Sequence, residues 1–150
     1  MKIHYICRGN VVRSLTAEAY TKSLQLPDTE VTSSGTMADR HRDKDFTIKH
    51  RKSTLALLDR HGLSSYAKST SDQVSQDKIN DQDLVICVNQ RAYDEAAELV
   101  TLPRNTMVWH IDDIGEGQRI LGGDDRTKHE EAIFNEVKSN VNELLASIGN

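Results

Sequence analysis

The chain has 150 residues, is 37% hydrophobic and carries a net charge of -4, which predicts one domain over residues 1–150 whose core needs no cofactor or disulfide for stability. This negative net charge argues against a nucleic-acid partner. The sequence contains no run of about 18 apolar residues, so no membrane span is predicted. The two cysteines, Cys7 and Cys87, are too few for a disulfide framework or a zinc cluster, so we expect reduced thiols in a cytoplasmic protein.

Apolar runs of strand length alternate with helical patterns along the chain. The predicted strands are residues 2–7, 30–35, 83–88 and 106–111. The predicted helices are residues 14–24, 45–62, 90–100 and a final helix near the end of the sequence. This alternation predicts an α/β fold, a three-layer sandwich in which helices flank a four-stranded parallel sheet on both faces.

Two of the helices carry finer predictions. In the helix over residues 45–62, the side chains of Ile48, Leu55 and Leu58 are expected to face the core. The final helix is expected to open with a capping box in which Thr127 and Glu130 satisfy each other's backbone N–H groups. These predictions define how one helix is rotated and where the other begins.

The turn between the first strand and the first helix places a thiol where an anion would bind. Ligands of parallel sheets bind outside the carboxyl ends of the strands, and Cys7 stands at such an end. The backbone N–H groups of the turn and the dipole of the following helix suit a phosphate-like anion. The same field favours the thiolate form of a cysteine, which is its nucleophilic form.

Other residues of this turn fit the same chemistry. Arg13 offers a planar fork of donors that can hold two oxygens of a phosphoryl group while the sulfur of Cys7 attacks phosphorus. Gly9 allows a close approach of the backbone, and Asn10 tolerates the left-handed conformation that a tight anion-binding loop needs. The residues therefore predict a cysteine nucleophile with a guanidinium clamp.

The segment CRGNVVRS, residues 7–14, resembles the phosphate loop of the low-molecular-weight protein tyrosine phosphatases, whose pattern is Cys-x-Gly-Asn-x-Cys-Arg-Ser. The segment SSGT, residues 33–36, is similar to the Ser-Ala-Gly-Thr of that family, and WHIDD, residues 109–113, resembles its general-acid loop. The resemblance extends along most of the chain. It implies a single domain with a flavodoxin-like fold of the phosphotyrosine phosphatase I type.

The same resemblance implies roles for individual residues. Cys7 would be the nucleophile, Arg13 the phosphate binder and Asp113 the general acid, with Asp112 as the alternative acid. The phosphate-binding residues would be Arg8, Gly9, Asn10, Val11, Val12 and Ser14, and Ser33 would support the loop. The implied reaction is hydrolysis of phosphotyrosine or another aryl phosphate monoester through a phosphocysteine, without a metal or a cofactor.

The resemblance also implies the partners of the protein. The expected ligands are a phosphorylated protein or a small aryl phosphate, together with phosphate-like and vanadate-like anions. Val11 resembles the isoleucine of tyrosine-type members more than the threonine of phosphoarginine-type relatives, which favours phosphotyrosine. We expect a monomer or a weak dimer that binds neither nucleic acid nor membrane.

Several departures from the family pattern bear on activity. Val12 replaces the second loop cysteine, so no protective disulfide can form within the loop. Ile114 replaces the proline after the acid, which is expected to leave Asp113 loosely held. The family's histidine after the second helix is missing, and Ser65 or Tyr66 is expected to take its place. The loop over residues 37–46 is expected to lack the aromatic wall of the phosphotyrosine cleft.

Three other functions compete with this interpretation. Thioredoxin-linked arsenate reductases share the loop but need two further cysteines, and the chain has Cys87 alone beside Cys7. A sugar-transport phosphocarrier has a loop cysteine but no use for Arg13. The strongest alternative is a phosphate-binding module of the same fold with weak or lost catalysis, and turnover of a chromogenic aryl phosphate separates it from an enzyme.

Overall fold

The computed structural model describes residues 1–113 and 126–149. The elements in chain order are β1 (Lys2–Cys7), α1 (Arg13–Ser23), β2 (Glu30–Gly35), α2 (Ala38–His41), α3 (Asp45–Arg60), a 3₁₀ turn (Ser64–Tyr66), α4 (Gln76–Ile79), β3 (Leu84–Cys87), α5 (Gln90–Leu99), β4 (Met107–Val108) and α6 (Arg126–Ile148). The predicted alternation of strands and helices is confirmed.

The strands form one parallel sheet in the order β2-β1-β3-β4. The central strand β1 is buried on both faces, because Ile3 and Tyr5 pack into one core cluster while Ile6 packs into the other. Its last residue, Cys7, lies in register with Gly35 at the end of β2. The carboxyl ends of β1 and β2 therefore meet directly beneath the loop that follows β1.

Helices cover both faces of the sheet and make the predicted three layers. Residues of α1 and α6 pack with Ile3, Tyr5 and Trp109 on one face, whereas α4 and α5 pack with Ile6 and Val85 on the other. Helix α3 packs outside α1 and α6. No helix within residues 1–113 or 126–149 is both long enough and apolar enough to cross a membrane.

Helix α3 buries Leu58 as predicted, but the rest of its buried face is shifted by one residue from the prediction. Its buried side chains are Thr47, Thr54, Leu57 and Leu58, and Ile48 is exposed. Thr54 can face inward because its hydroxyl donates to the carbonyl of His50 in the same helix, 3.0 Å away. The apolar periodicity therefore predicted the buried face incorrectly, because a threonine whose hydroxyl is hydrogen-bonded within the helix occupies that face.

The predicted ends of two further elements are also wrong. Helix α6 already includes Arg126, so Thr127 lies inside the helix. The carboxylate of Glu130 instead accepts hydrogen bonds from Ser53 and Arg126. Strand β4 covers two residues rather than the six of 106–111, although Trp109 and Ile111 still donate backbone hydrogen bonds to the carbonyls of Cys87 and Val88.

Candidate active site

The loop between β1 and α1 forms the floor of a cavity of about 300 Å³ at the carboxyl edge of the sheet. The cavity is lined by Cys7, Arg8, Gly9, Val11, Val12, Arg13, His41, Phe46, Thr47, His50, Arg91 and Asp113. The site predicted from the sequence is thus brought together around Cys7, the last residue of β1. Five lining residues, from α2, α3 and α5, were not predicted: His41, Phe46, Thr47, His50 and Arg91.

The sulfur of Cys7 receives hydrogen bonds from two directions. The backbone N–H of Asn10 donates to it over 3.1 Å, and the hydroxyl of Ser14 lies 2.9 Å away. The amide Nδ2 of Asn10 donates to the oxygen of Ser14, which leaves the Ser14 proton available for the sulfur. Two donors at the sulfur stabilise negative charge there, as a nucleophilic thiolate requires.

Asn10 holds the loop in its tight conformation. Its φ of 57° is left-handed, a region that asparagine tolerates better than most residues. Its side chain donates to Ser14 and Ser33 and accepts from the backbone N–H of Asp72, and its carbonyl accepts from Ser71. Segments distant in the sequence therefore lock the loop. The predicted contribution of Ser33 to this support is consistent with its contact, and its importance remains a prediction.

A buried carboxylate completes the network beneath the loop. The hydroxyl of Ser33 donates to Glu18 over 2.5 Å, and Lys22 forms an ion pair with the same side chain. Lys68 donates to the carbonyl of Ser33 and lies 3.7 Å from Glu18. Glu18 was not predicted, although its spacing of four residues from Lys22 on α1 is typical of a helical ion pair.

The residues expected to replace the family's histidine do not support the loop in this structure. The hydroxyl of Tyr66 accepts a hydrogen bond from Gln25 on the side of α1, and Ser65 is exposed on the 3₁₀ turn. The contacts to Asn10 come instead from Ser71 and Asp72, in the segment before α4. The prediction is wrong because this segment contacts Asn10 at Ser71 and Asp72, after the 3₁₀ turn has ended.

Gly35 allows the loop to approach β2 closely. A Cβ atom at this position would lie 2.4 Å from the carbonyl oxygen of Arg8 and 2.8 Å from the nitrogen of Asn10. Both atoms belong to the backbone, so no side-chain movement could relieve the contact. The backbone N–H groups of Thr36 and Met37 also donate to the carbonyls of Cys7 and Arg8. The end of β2 therefore fixes the position of the loop.

Arg13 enters the cavity from the first turn of α1 and is almost completely buried. One terminal nitrogen donates to the carbonyl of Ile111 over 3.0 Å, and the other lies 3.7 Å from the carboxylate of Asp113. Asp113 lines the cavity and Asp112 is exposed. Among the described residues, Asp113 is therefore the better placed candidate for the acid, while Ile114 and Gly115 lie outside the described residues.

Aromatic rings form one wall of the cavity, contrary to the expectation for residues 37–46. The ring of Phe46 lies edge-on between those of His41 and His50, at centroid distances of 5.6 and 6.3 Å. Burial, followed by the nearby Arg126 guanidinium, lowers the pKa of His50. Because a guanidinium only donates, its contact with Nδ1 of His50 leaves the proton on Nε2. The wall is therefore aromatic, and burial and the Arg126 contact disfavour a proton on Nδ1 of His50.

At the carboxyl edge of a parallel sheet, the structure thus places a thiol, a buried guanidinium and a carboxyl group around a loop suited to a phosphate-like anion. The family model described as "Low molecular weight phosphotyrosine protein phosphatase" matches residues 2–149. The chain belongs to this family. Comparison with curated proteins finds no match.

Solved structures with this fold cover nearly the whole chain. A Drosophila arginine phosphatase is 20% identical with a TM-score of 0.75, covering 100% of this chain and 99% of its own. Wzb of Vibrio vulnificus, in complex with benzylphosphonate, is 17% identical with a TM-score of 0.74 and covers 98% of each chain. The low molecular weight protein tyrosine phosphatase of Streptococcus pyogenes is 16% identical with a TM-score of 0.72, covering 98% of this chain and 92% of its own. These likenesses establish the fold.

Proposed function

We propose that the protein hydrolyses phosphotyrosine and other aryl phosphate monoesters through a phosphocysteine on Cys7. The observation that carries this proposal is the position of the Cys7 sulfur, which receives donors from Asn10 and Ser14 at the floor of a cavity that also contains Arg13 and Asp113. A stabilised sulfur nucleophile, a guanidinium and a carboxyl group around one cavity are the groups that phosphoryl transfer through cysteine needs.

In the first step, the Cys7 thiolate attacks phosphorus and the bond from phosphorus to the aryl oxygen breaks. Asp113 gives its proton to the departing phenolate. In the second step, a water molecule attacks the phosphocysteine, Asp113 takes a proton from that water, and the sulfur–phosphorus bond breaks. Phosphate leaves and the thiolate is restored. Atoms, charge and protons balance without a metal or a redox partner.

Arg13 and the loop amides would bind the nonreacting phosphate oxygens in both steps. The guanidinium is fixed by the carbonyl of Ile111, so little conformational freedom is lost when a phosphoryl group binds. Its planar fork matches two phosphate oxygens. Because Arg13 is buried, the attraction acts in surroundings that screen it less than water does.

The aromatic wall supports an aryl substrate. Phe46 lies beside the loop and half of its residue surface is exposed, so a flat leaving group can pack against its ring. Val11 places a branched apolar side chain at the cavity, which offers no hydroxyl to a guanidinium-type leaving group. Benzylphosphonate, in the complex of the Vibrio vulnificus protein, carries an aromatic ring beside its phosphonate.

Turnover on matched phosphopeptides tests this function. We expect kcat/KM to be highest for a phosphotyrosine peptide, compared with phosphoarginine and phosphoserine peptides of the same sequence. The Cys7→Ser variant should bind vanadate but give no turnover, because the amides and Arg13 remain in place. A preference for the phosphoarginine peptide would instead indicate an arginine phosphatase, the activity for which the Drosophila neighbour is named. Absence of turnover by the folded wild type on all peptides would favour a phosphate-binding module.

A further inference from the structure

Two arginines besides Arg13 line the cavity and share one carboxylate. Nε of Arg8 donates to both oxygens of Glu95, each over 3.0 Å, and Nε of Arg91 lies 3.7 Å from the same side chain. Thr36 also donates to Glu95. One carboxylate therefore faces two guanidinium groups, which leaves positive charge at the cavity.

Positive charge lines the cavity at two depths. The charged residues that line the cavity are three arginines and Asp113, in a chain whose net charge is -4. Arg13 is buried at the floor beside the sulfur, whereas the side chains of Arg8 and Arg91 are 27% and 53% exposed. The two outer arginines are thus open to a second group of the substrate.

The position of Arg91 is unfavourable for the helix that carries it. Arg91 lies in the first turn of α5, after the N-cap residue Asn89, where the helix dipole repels a cation. Its pairing with Glu95, four residues later, has the less favourable order for a helical ion pair. Helix stability therefore does not explain an arginine here, and a ligand outside the helix would.

We propose that Arg8 and Arg91 form a second anion subsite that binds an acidic side chain, or a second phosphate, next to the phosphorylated residue of the substrate. This inference rests on the proposed function, since it names the substrate class of the same cavity. Glu95 fixes the Arg8 guanidinium through Nε, and a carboxylate or phosphate would bind the terminal nitrogens of the forks. Substrates would then be acidic or doubly phosphorylated peptides.

Selectivity between matched peptides measures the subsite. Three peptides would carry one phosphotyrosine flanked by glutamate, by glutamine or by a second phosphotyrosine. Because exposed ion pairs are weak, we expect the glutamate peptide to exceed the glutamine peptide by roughly twofold to fivefold in kcat/KM at low ionic strength. The ratio should fall with added salt. The rate with the third peptide shows whether the subsite accepts a phosphate as well as a carboxylate. A preference for the glutamate peptide or for the doubly phosphorylated peptide over the glutamine peptide supports an anion subsite.

Matched variants assign the effect to Arg91. Arg91→Gln should bring the ratio of glutamate to glutamine peptide close to one. Arg104→Gln removes the same charge just before β4, at the opposite edge of the sheet from the cavity, and should keep the wild-type ratio. Equal rates for all three peptides would overturn the subsite, and a preference that survives Arg91→Gln would overturn the assignment of Arg91.

A binding measurement separates failure of the subsite from failure of the proposed function. Fluorescence anisotropy of the labelled peptides with the Cys7→Ser protein needs no turnover. Tighter binding of the glutamate peptide, lost in Cys7→Ser with Arg91→Gln, would support the subsite even if no peptide were hydrolysed. Equal binding of the glutamate and glutamine peptides, with normal turnover by the wild type, would contradict the subsite alone.

Discussion

Replacing Gly35 with alanine should remove most of the activity through the position of the phosphate loop. The added Cβ would lie 2.4 Å from the carbonyl oxygen of Arg8, whereas ordinary contacts of a Cβ begin at 3.4 Å. The neighbouring atoms are backbone, so the loop itself must move by about 1 Å. A misplacement of about 1 Å can cost about 10²-fold in rate. We therefore expect kcat/KM on an aryl phosphate to fall by about that factor.

Gly62→Ala is the matched control. Gly62 follows α3 with a φ of +72°, and a Cβ there would meet nothing within 4 Å. Alanine at this position costs about 1–2 kcal/mol of backbone strain without touching the loop. Overpacking at Gly35 costs a similar free energy of unfolding, about 1–3 kcal/mol. The two variants should resemble each other in stability and differ in activity.

Urea unfolding and steady-state kinetics on nitrophenyl phosphate, measured well below the unfolding midpoint, separate the two effects. We expect Gly62→Ala to keep wild-type kcat/KM. If Gly35→Ala folds and retains kcat/KM within about threefold of the wild type, the close approach of β2 does not position the loop for catalysis.

Further predictions concern the acid, the pH dependence and oxidation. Asp113→Asn should lower the rate on phosphotyrosine by about 10²–10⁴ and less on nitrophenyl phosphate, and a larger loss from Asp112→Asn would move the acid by one residue. Burial lowers the pKa of His4 from 6.5 to about 3, so only the unfolded chain gains a proton between these values. Stability should fall as the pH drops through this window, by up to about 1.4 kcal/mol per pH unit from this group, and urea unfolding should show a smaller slope for His4→Gln. Burial also raises the pKa of Cys87 to about 12, so Cys87 stays a thiol and does not form a protective disulfide with oxidised Cys7. Peroxide inactivation at Cys7 should therefore be poorly reversed by thiols, and a Cys7–Cys87 disulfide in mass spectra would contradict this.

The parts of the fold that were predicted correctly depend on local patterns. The apolar runs of β1 and β3 identify buried parallel strands, and the loop after β1 is contiguous in sequence, so its cysteine and arginine could be recognised together. The rotation of α3 could not be predicted, because Thr54 is buried with a hydrogen bond to its own helix. The short length of β4 could not be predicted either, because it is set by pairing with a single neighbouring strand, β3.

The parts of the site that were missed depend on distant segments. Phe46 lines the cavity because α3 begins there, and only its spacing of four residues from His50 hinted at a shared face. The contacts of Asp72 with Asn10 and of Glu95 with Arg8 join residues separated by 62 and 87 positions. No local pattern specifies such pairs, since the topology of the sheet brings them together.

Detection of a phosphorylated enzyme tests the central claim most directly. Rapid mixing of the protein with an aryl phosphate, quenching and intact-mass analysis should show one added phosphoryl group in the wild type, located on the sulfur of Cys7 by peptide mapping. Cys7→Ser, mixed in the same way, should show none and release no phenol. Phenol release by Cys7→Ser at the wild-type rate, or a phosphoryl group found on a residue other than Cys7, would contradict the proposed mechanism.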